Sequence, residues 1–412
     1  MNTLPGPFPP ELWLDIISDL PRPTIKLLSL TCQSIRHVVQ PLLFRRLVFT
    51  FNPNAPHGHM QPEEYVDWST QKMSFCSAEM NAAVREVDLS HPRPRQDYIS
   101  LSDSLYNQLF TTILCYLPDM INLDALKCTN ITFSAQHISN LCLSGRVPEL
   151  FLHACRWEVP HPDDLMHRLR VSKFTLSTKE DVVHINDWHE FVESDMVSLS
   201  VIAPTPQSLS SLKTYPHIIQ DLSILETDMC PGVLPLLADI LSLQPPLRSL
   251  RVHHSPHHLV PLSEITVSSL SHLPLLEAYE GPFELLLSIS TEQSLARLRN
   301  VQLNALFNPE SAIVHIGNAA RYLESLEIHV HFLMRSTLDA VMVHCNMLKD
   351  LSINAENMTL TDFDSVSVCH TILTHNPILR PVRQCFYLTG FYQRVEHFGS
   401  AVEDSKLGSR AR

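Results

Sequence analysis

The chain has 412 residues, enough for two or three domains or one elongated repeat array. Its formal charge of −13, with no basic run, excludes the clustered Lys and Arg that nucleic-acid binding requires. Apolar residues at 44% supply a large core, and nine glycines without a G-x-G-x-x-G or G-x-x-x-x-G-K-[ST] motif exclude the familiar phosphate-cradling loops. The first structured stretch, from Phe8 to Phe49, reads as three short helices packed into one knot. Pro10 suits a first helical position, where its missing N–H has no intrahelical role. Glu11 and Asp15 place negative charge in the early turns, which the helix dipole favours. Leu12, Ile16 and Leu20 recur four residues apart as an apolar stripe that Trp13 and Ile17 widen. Pro21 and Pro23 stop this helix. Thr24 is expected to cap a second helix carrying Ile25, Leu27, Leu28 and Leu30. Ser34 is expected to cap a third, with Ile35, Val38 and Val39, which Pro41 ends.

This stretch resembles the F-box. The residues that carry the likeness are Pro9, Glu11, Leu12, Ile16, Leu20, Leu28, Leu30, Cys32 and Arg36. Phe8 stands where the family usually has Leu, Thr31 where it has Val, and Ile35 where it has Trp or Phe. The resemblance covers about a tenth of the chain. It implies docking to a Skp-type adaptor of an SCF ubiquitin ligase through Leu12, Ile16, Leu20 and Pro21, with Phe8 and Pro9 at the edge.

Residues 50–83 are expected to connect the knot to the rest of the chain: a Pro/Asn/His-rich loop at 52–61, then a helix from Glu63 to Val84. From Phe44 onward one pattern recurs: apolar, two others, apolar, one other, apolar. It is met at Phe44/Leu47/Phe49, Val84/Val87/Leu89, Leu123/Leu126/Cys128, Val147/Leu150/Leu152, Val171/Phe174/Leu176 and Met196/Leu199/Val201. It continues at Ile219/Leu222/Ile224, Leu247/Leu250/Val252, Leu273/Leu276/Ala278, Leu298/Val301/Leu303, Leu323/Leu326/Ile328 and Leu348/Leu351/Ile353. By subtraction of positions, the steps from 123 to 348 are 24, 24, 25, 23, 28, 26, 25, 25 and 25 residues. The alternation ending each motif is a strand with every second side chain inward. Helix candidates fall between, at 134–143, 163–169, 184–192, 233–243, 263–273, 311–323, 336–347 and 361–374. A second Pro/Arg-rich loop is expected at 91–96.

The period lies within the ~20–29 residues of leucine-rich repeats. From about residue 84 to 392 the chain therefore resembles a leucine-rich-repeat array of the irregular kind found behind F-boxes. The expected fold class is an α/β solenoid, parallel strands on its concave side and helices on its convex side. The ninth repeat position, usually Asn or Cys, is Ile131, Cys155, Lys179, Pro204, Thr227, Ser255, Gly281, Leu306, His331 and Glu356 here, so only Cys155 conforms. Residues 393–412 turn polar and read as a disordered tail.

Binding on the concave face is the usual use of such arrays. The outward strand positions expected there are Asp88, Lys127, Phe151, Thr175, Ser200, Ser223, Arg251, Glu277, Gln302, Glu327 and Ser352. With their neighbours, Arg248, Arg251, His253, Glu277, Tyr279, Glu327 and His329 are the candidate substrate contacts. Ten cysteines are scattered without a C-x-x-C, and the dense run from His253 to His258 has no Cys near it, so no metal or cofactor is expected. Asp362 and Asp364 read as helix-start acids, and no catalytic motif is present. No signal-peptide pattern and no ~18-residue apolar run occur, so a cytoplasmic or nuclear protein without a membrane partner is expected. The chain reads as a non-catalytic substrate adaptor of an SCF-type ligase, or else as a repeat scaffold whose first helices only cap the solenoid. Burial of Leu12 and Ile16 against the array would mark the cap; their exposure would mark a docking face.

Overall fold

The computed structural model describes residues 10–50, 78–91, 102–157, 167–177, 188–193, 195–202, 206–214, 216–229, 232–254, 273–289, 295–306, 308–358 and 387–388. Expectations at Phe8, Pro9, 52–61, 63–77, 92–96, 163–166, 184–187, His257, His258, 263–272, Asp362, Asp364, 361–374 and 393–412 lie outside these residues. The chain divides into two units, Met1–Leu273 and Pro274–Arg412.

The first unit opens with α1 (Pro10–Ser18), α2 (Arg22–Leu28) and α3 (Gln33–Phe44). Each contributes one buried side chain to a small core: Ile17, Ile25 and Val39, with Trp13, Leu20, Leu28, Ile35, Leu42 and Leu43 packed around them. The Arg22 guanidinium donates to the carbonyls of Leu43 and Arg46, both at 3.2 Å, and ties α2 to the end of α3. Three local expectations need correction. Pro21 is the residue before α2 and Pro23 lies in its first turn, so Thr24 sits inside the helix. The cap of α3 is Cys32, whose Sγ accepts the Ile35 N–H at 3.4 Å, and Ser34 is already helical. Pro41 does not end α3, which runs on to Phe44. Leu42 and Leu43 pack on the core one turn later, and that burial offsets the hydrogen bond the proline forfeits.

Strand β1 (Arg46–Thr50) leaves α3 directly. It starts a parallel ladder with β2 (Glu86–Ser90), β3 (Ala125–Thr129), β5 (Glu149–His153), β7 (Lys173–Ser177), β8 (Ser198–Ile202), β9 (Ile224–Met229) and β10 (Ser249–His254). Two short strands, β4 (Thr132–Phe133) and β6 (Arg156–Trp157), pair beside it. The helices lie between strands in sequence. Among them are α4 (Ala78–Ala83), α5 (Ser102–Tyr116), α6 (Ala135–Leu143), α7 (Trp188–Phe191), α8 (Pro206–Thr214) and α9 (Val233–Ser242). In the second unit β11 (Ala278–Gly281), β12 (Asn300–Leu306), β13 (Ser325–Leu333), β14 (Asp350–Met358) and β15 (Tyr387–Leu388) are parallel neighbours in chain order. Helices α10 (Phe283–Ile289), α11 (Pro309–Ala319) and α12 (Arg335–His344) connect them. Each unit is thus a stack of strand–helix repeats, a solenoid-like α/β arrangement. Of these helices, α5, α8 and α10 were absent from the sequence expectation. No helix among the described residues is long and apolar enough to cross a membrane.

The repeat motif supplies the buried rungs. Leu47, Val87, Leu126, Leu150, Phe174, Leu199, Leu225 and Leu250 are in register across the first unit. Tyr279, Val301, Leu326 and the half-buried Leu351 are in register across the second. Two motifs therefore slip by three residues from the expectation: Leu222/Leu225/Thr227 replaces Ile219/Leu222/Ile224, and Leu276/Tyr279/Gly281 replaces Leu273/Leu276/Ala278. An odd slip exchanges the faces of a strand. Leu225 and Thr227 are fully buried, whereas Ile224 is exposed. Thr and Tyr do not read as core on composition alone. Tyr279 is nonetheless buried, because its hydroxyl donates to the Pro282 carbonyl at 2.6 Å.

Cys155 is buried between β5 and β6. Its thiol donates to the Cys128 carbonyl at 3.3 Å. Burial pushes the Cys155 pKa up to about 12, so the thiol keeps the proton this bond needs.

Candidate functional site

Two surfaces carry unspent chemistry. The first is the outside of the N-terminal knot. Trp13 and Ile17 turn toward α2 and α3, which forces Leu12 and Ile16 outward. They are 46% and 53% exposed, and Leu14, Leu27 and Leu30 are exposed as well. Leu20 is half-buried against the small core, and Pro21 is exposed just before α2. Leu12 and Ile16 are one helical turn apart, so they form one apolar edge on α1.

The second is the sheet face whose alternate side chains are half exposed. In the first unit one register row runs Asp88, Lys127, Phe151, Thr175, Ser200, Glu226, Arg251, of which Ser200 is buried, not open as expected. Its early part is closed on itself by charge. Arg46 pairs with Asp88 at 3.1 Å and Glu86 at 3.5 Å, and Lys127 reaches Glu86 at 2.5 Å. Phe151 stacks on His153, with ring centres 6.3 Å apart, and His153 Nδ1 lies 2.8 Å from Ser177 Oγ. At the far end His253 Nε2 meets Glu226 Oε1 at 2.8 Å, and the exposed Arg251 is the register partner of Glu226. Arg248 is exposed and lies just before β10.

In the second unit the equivalent row is Glu280, Gln302, Glu327, Ser352. The slip in register corrects two candidates here. Tyr279 belongs to the core, and Glu277 precedes β11, where its carbonyl accepts the N–H groups of Arg299 and Asn300. Glu327 and His329 do share the open face. The Asn354 amide donates to Glu327 Oε1 at 3.0 Å, His329 Nε2 lies 3.2 Å from the same oxygen, and Asn354 Nδ2 lies 3.3 Å from the imidazole. Asn354 and Glu226 were not singled out from sequence. The signal for Glu226 was present in the uneven steps of 23 and 28 residues. Moving that motif by three makes them 26 and 25, and puts Glu226 in the row where Ser223 was expected.

Among the described residues, no group of three or more His, Cys, Asp or Glu side chains is arranged to hold a metal ion. Burial raises Cys142 and Cys345 to about 11, so these thiols stay protonated near neutrality. No protein-family model matches the chain, and no curated protein matches it significantly.

Proposed function

We propose that the chain is the substrate-recognition part of an SCF-type ubiquitin ligase. In this reading α1 to α3 act as an F-box that docks a Skp-type adaptor, and the strand–helix repeats hold a protein substrate. The observation that carries it is the exposure of Leu12 and Ile16, 46% and 53%, on a knot whose core is already complete. Apolar edges of this kind mark interaction sites. The cap alternative calls for the same two side chains to be covered by the array; they are half exposed. The repeats add an open sheet face of mixed polarity, which suits protein recognition. The chain itself would form no bond. It would raise the local concentration of substrate lysines at a charged E2.

The test is co-expression with the Skp-type adaptor and size-exclusion chromatography. A one-to-one complex is expected. Leu12→Ala with Ile16→Ala is expected to weaken it by more than about 2 kcal/mol, the scale of an interface hot spot, without changing the thermal unfolding of the array. A double variant that binds the adaptor at full strength in calorimetry would discard this interface. Point variants are preferred to deleting residues 1–49, because β1 lies in that segment and pairs with β2.

A further inference from the structure

Strands β12 and β13 feed into α11 and α12, and a groove of about 550 Å³ opens where these four ends meet. Leu306, Pro309, Phe332 and Met334 form its apolar walls, and Glu310 and His331 add polar atoms. Phe332 and Met334 are 50% and 52% exposed, so the walls lack a cover.

The carboxylate lining this groove is Glu310, and the adjacent Arg335 is turned to Asp339 at 4.0 Å. Glu310 stands in the first turn of α11, where the helix dipole favours a carboxylate, and accepts a hydrogen bond from the Ser336 hydroxyl. Glu327 lies on the open face of β13, at the same parity as His331 and four residues before it. Its contacts from Asn354 and His329 both fall on Oε1. Among the described residues no Lys or Arg pairs with Glu310 or Glu327, while the nearby Lys349 and Arg299 are both paired with Glu324. Glu280 extends the acidic row two strands away.

We propose that this groove receives an extended protein segment that pairs a bulky apolar side chain with a basic one. The apolar side chain fills the space between Phe332 and Met334, and a guanidinium lies over Glu327, where Oε2 offers an acceptor. Arginine suits the site better than lysine, because a planar fork can bond a carboxylate through two donors. From Glu327 to the groove at His331 and Phe332 is four to five strand residues, about 13–17 Å at strand rise. An extended segment spanning that distance carries its two anchors four or five residues apart. The inference takes from the proposed function only that the repeats bind protein segments; adaptor docking at α1 plays no part in it.

The test uses the full chain and two fluorescein-labelled Ser/Gly decapeptides, one containing Arg-Ser-Gly-Ser-Phe and one containing the reverse order. One of the two orders is expected to bind in fluorescence anisotropy and to weaken with added salt. Glu327→Gln and Met334→Ser are each expected to reduce that binding about tenfold, the scale of losing one interface anchor. Glu86→Gln, on the first unit, should leave it unchanged. Phe332→Ser replaces Met334→Ser if the latter melts below the parent. The inference falls if neither peptide binds more tightly than controls with Glu for Arg or Ser for Phe. It falls equally if the groove variants bind like the parent. Adaptor co-elution measured on the same preparations separates the two ideas. Adaptor binding lost with peptide binding intact overturns only the docking role, and the reverse overturns only the groove.

Discussion

Ala154 sits after β5 with φ of 51°, a left-handed conformation that a Cβ disfavours. Its N–H donates to the Ser177 carbonyl at 2.7 Å, so the turn is held from outside. Ala154→Gly is expected to raise stability by about 0.5–1 kcal/mol in urea unfolding, since the strain is relieved against a modest entropic cost. Gly317 is the opposite case. A Cβ there would lie 2.5 Å from the His344 carbonyl oxygen, across the contact of α11 with α12. Gly317→Ala is expected to cost about 1–3 kcal/mol by forcing the helices apart, read in the same unfolding experiment. His137 carries a pH dependence. Its Nδ1 accepts the Ser134 N–H at 3.2 Å, and Nε2 lies 2.7 Å from Thr111 Oγ1, whose own proton goes to the Asn107 carbonyl. That network needs the neutral imidazole with its proton on Nε2. Burial also holds the His137 pKa below its ordinary value, as it does that of His315. On acidification the unfolded chain takes up protons first, from about pH 6.5, so stability is present above that pH and is lost below it. His137→Gln keeps a side chain able to complete the helix cap. Its melting temperature should fall less than the parent's between pH 7.5 and 5.5; an equal fall would show that other groups set the dependence.

At the scale of elements, helix α1 shows how a stripe divides. Leu12, Ile16 and Leu20 read as one face, yet α1 is nine residues long, and its closest core neighbours are Trp13 and Ile17. Leu20 lies beyond the helix end and joins the core, while Leu12 and Ile16 stay outside. The adaptor prediction rests on that division, which is why it names Leu12→Ala and Ile16→Ala and leaves Leu20 alone. Strands divide in the same way, through parity. At 219–227 two overlapping triplets compete: Ile219/Leu222/Ile224 is wholly apolar, and Leu222/Leu225/Thr227 ends in a threonine. Pairing with β8 and β10 decides between them, because only one register buries Leu225 beside Leu199 and Leu250.

At the scale of the molecule, two stacks of parallel strands present faces of different character. The first unit's face begins with an ion-pair network around Arg46, Glu86, Asp88 and Lys127 that satisfies its own charges. The second unit's face is acidic and amide-rich, and ends in an apolar groove. This division of labour underlies the expectation that peptide binding responds to Glu327 and not to Glu86.

The repeating strand with most of its buried rungs, the three N-terminal helices and the apolar surplus on α1 are legible in the sequence. These follow from periodicity and from helix-start residues that act over a few positions, as at Pro10. Tertiary structure alone decided the faces of β9 and β11, the passage of α3 through Pro41, and the meeting of Glu327, His329 and Asn354. It also placed Phe332 and Met334 beside Glu310. The reason is physical. Local pattern fixes which side chains share a face, but a parallel ladder sets register through partners about 25 residues away in sequence. Only that register says which face meets the core and which stays open.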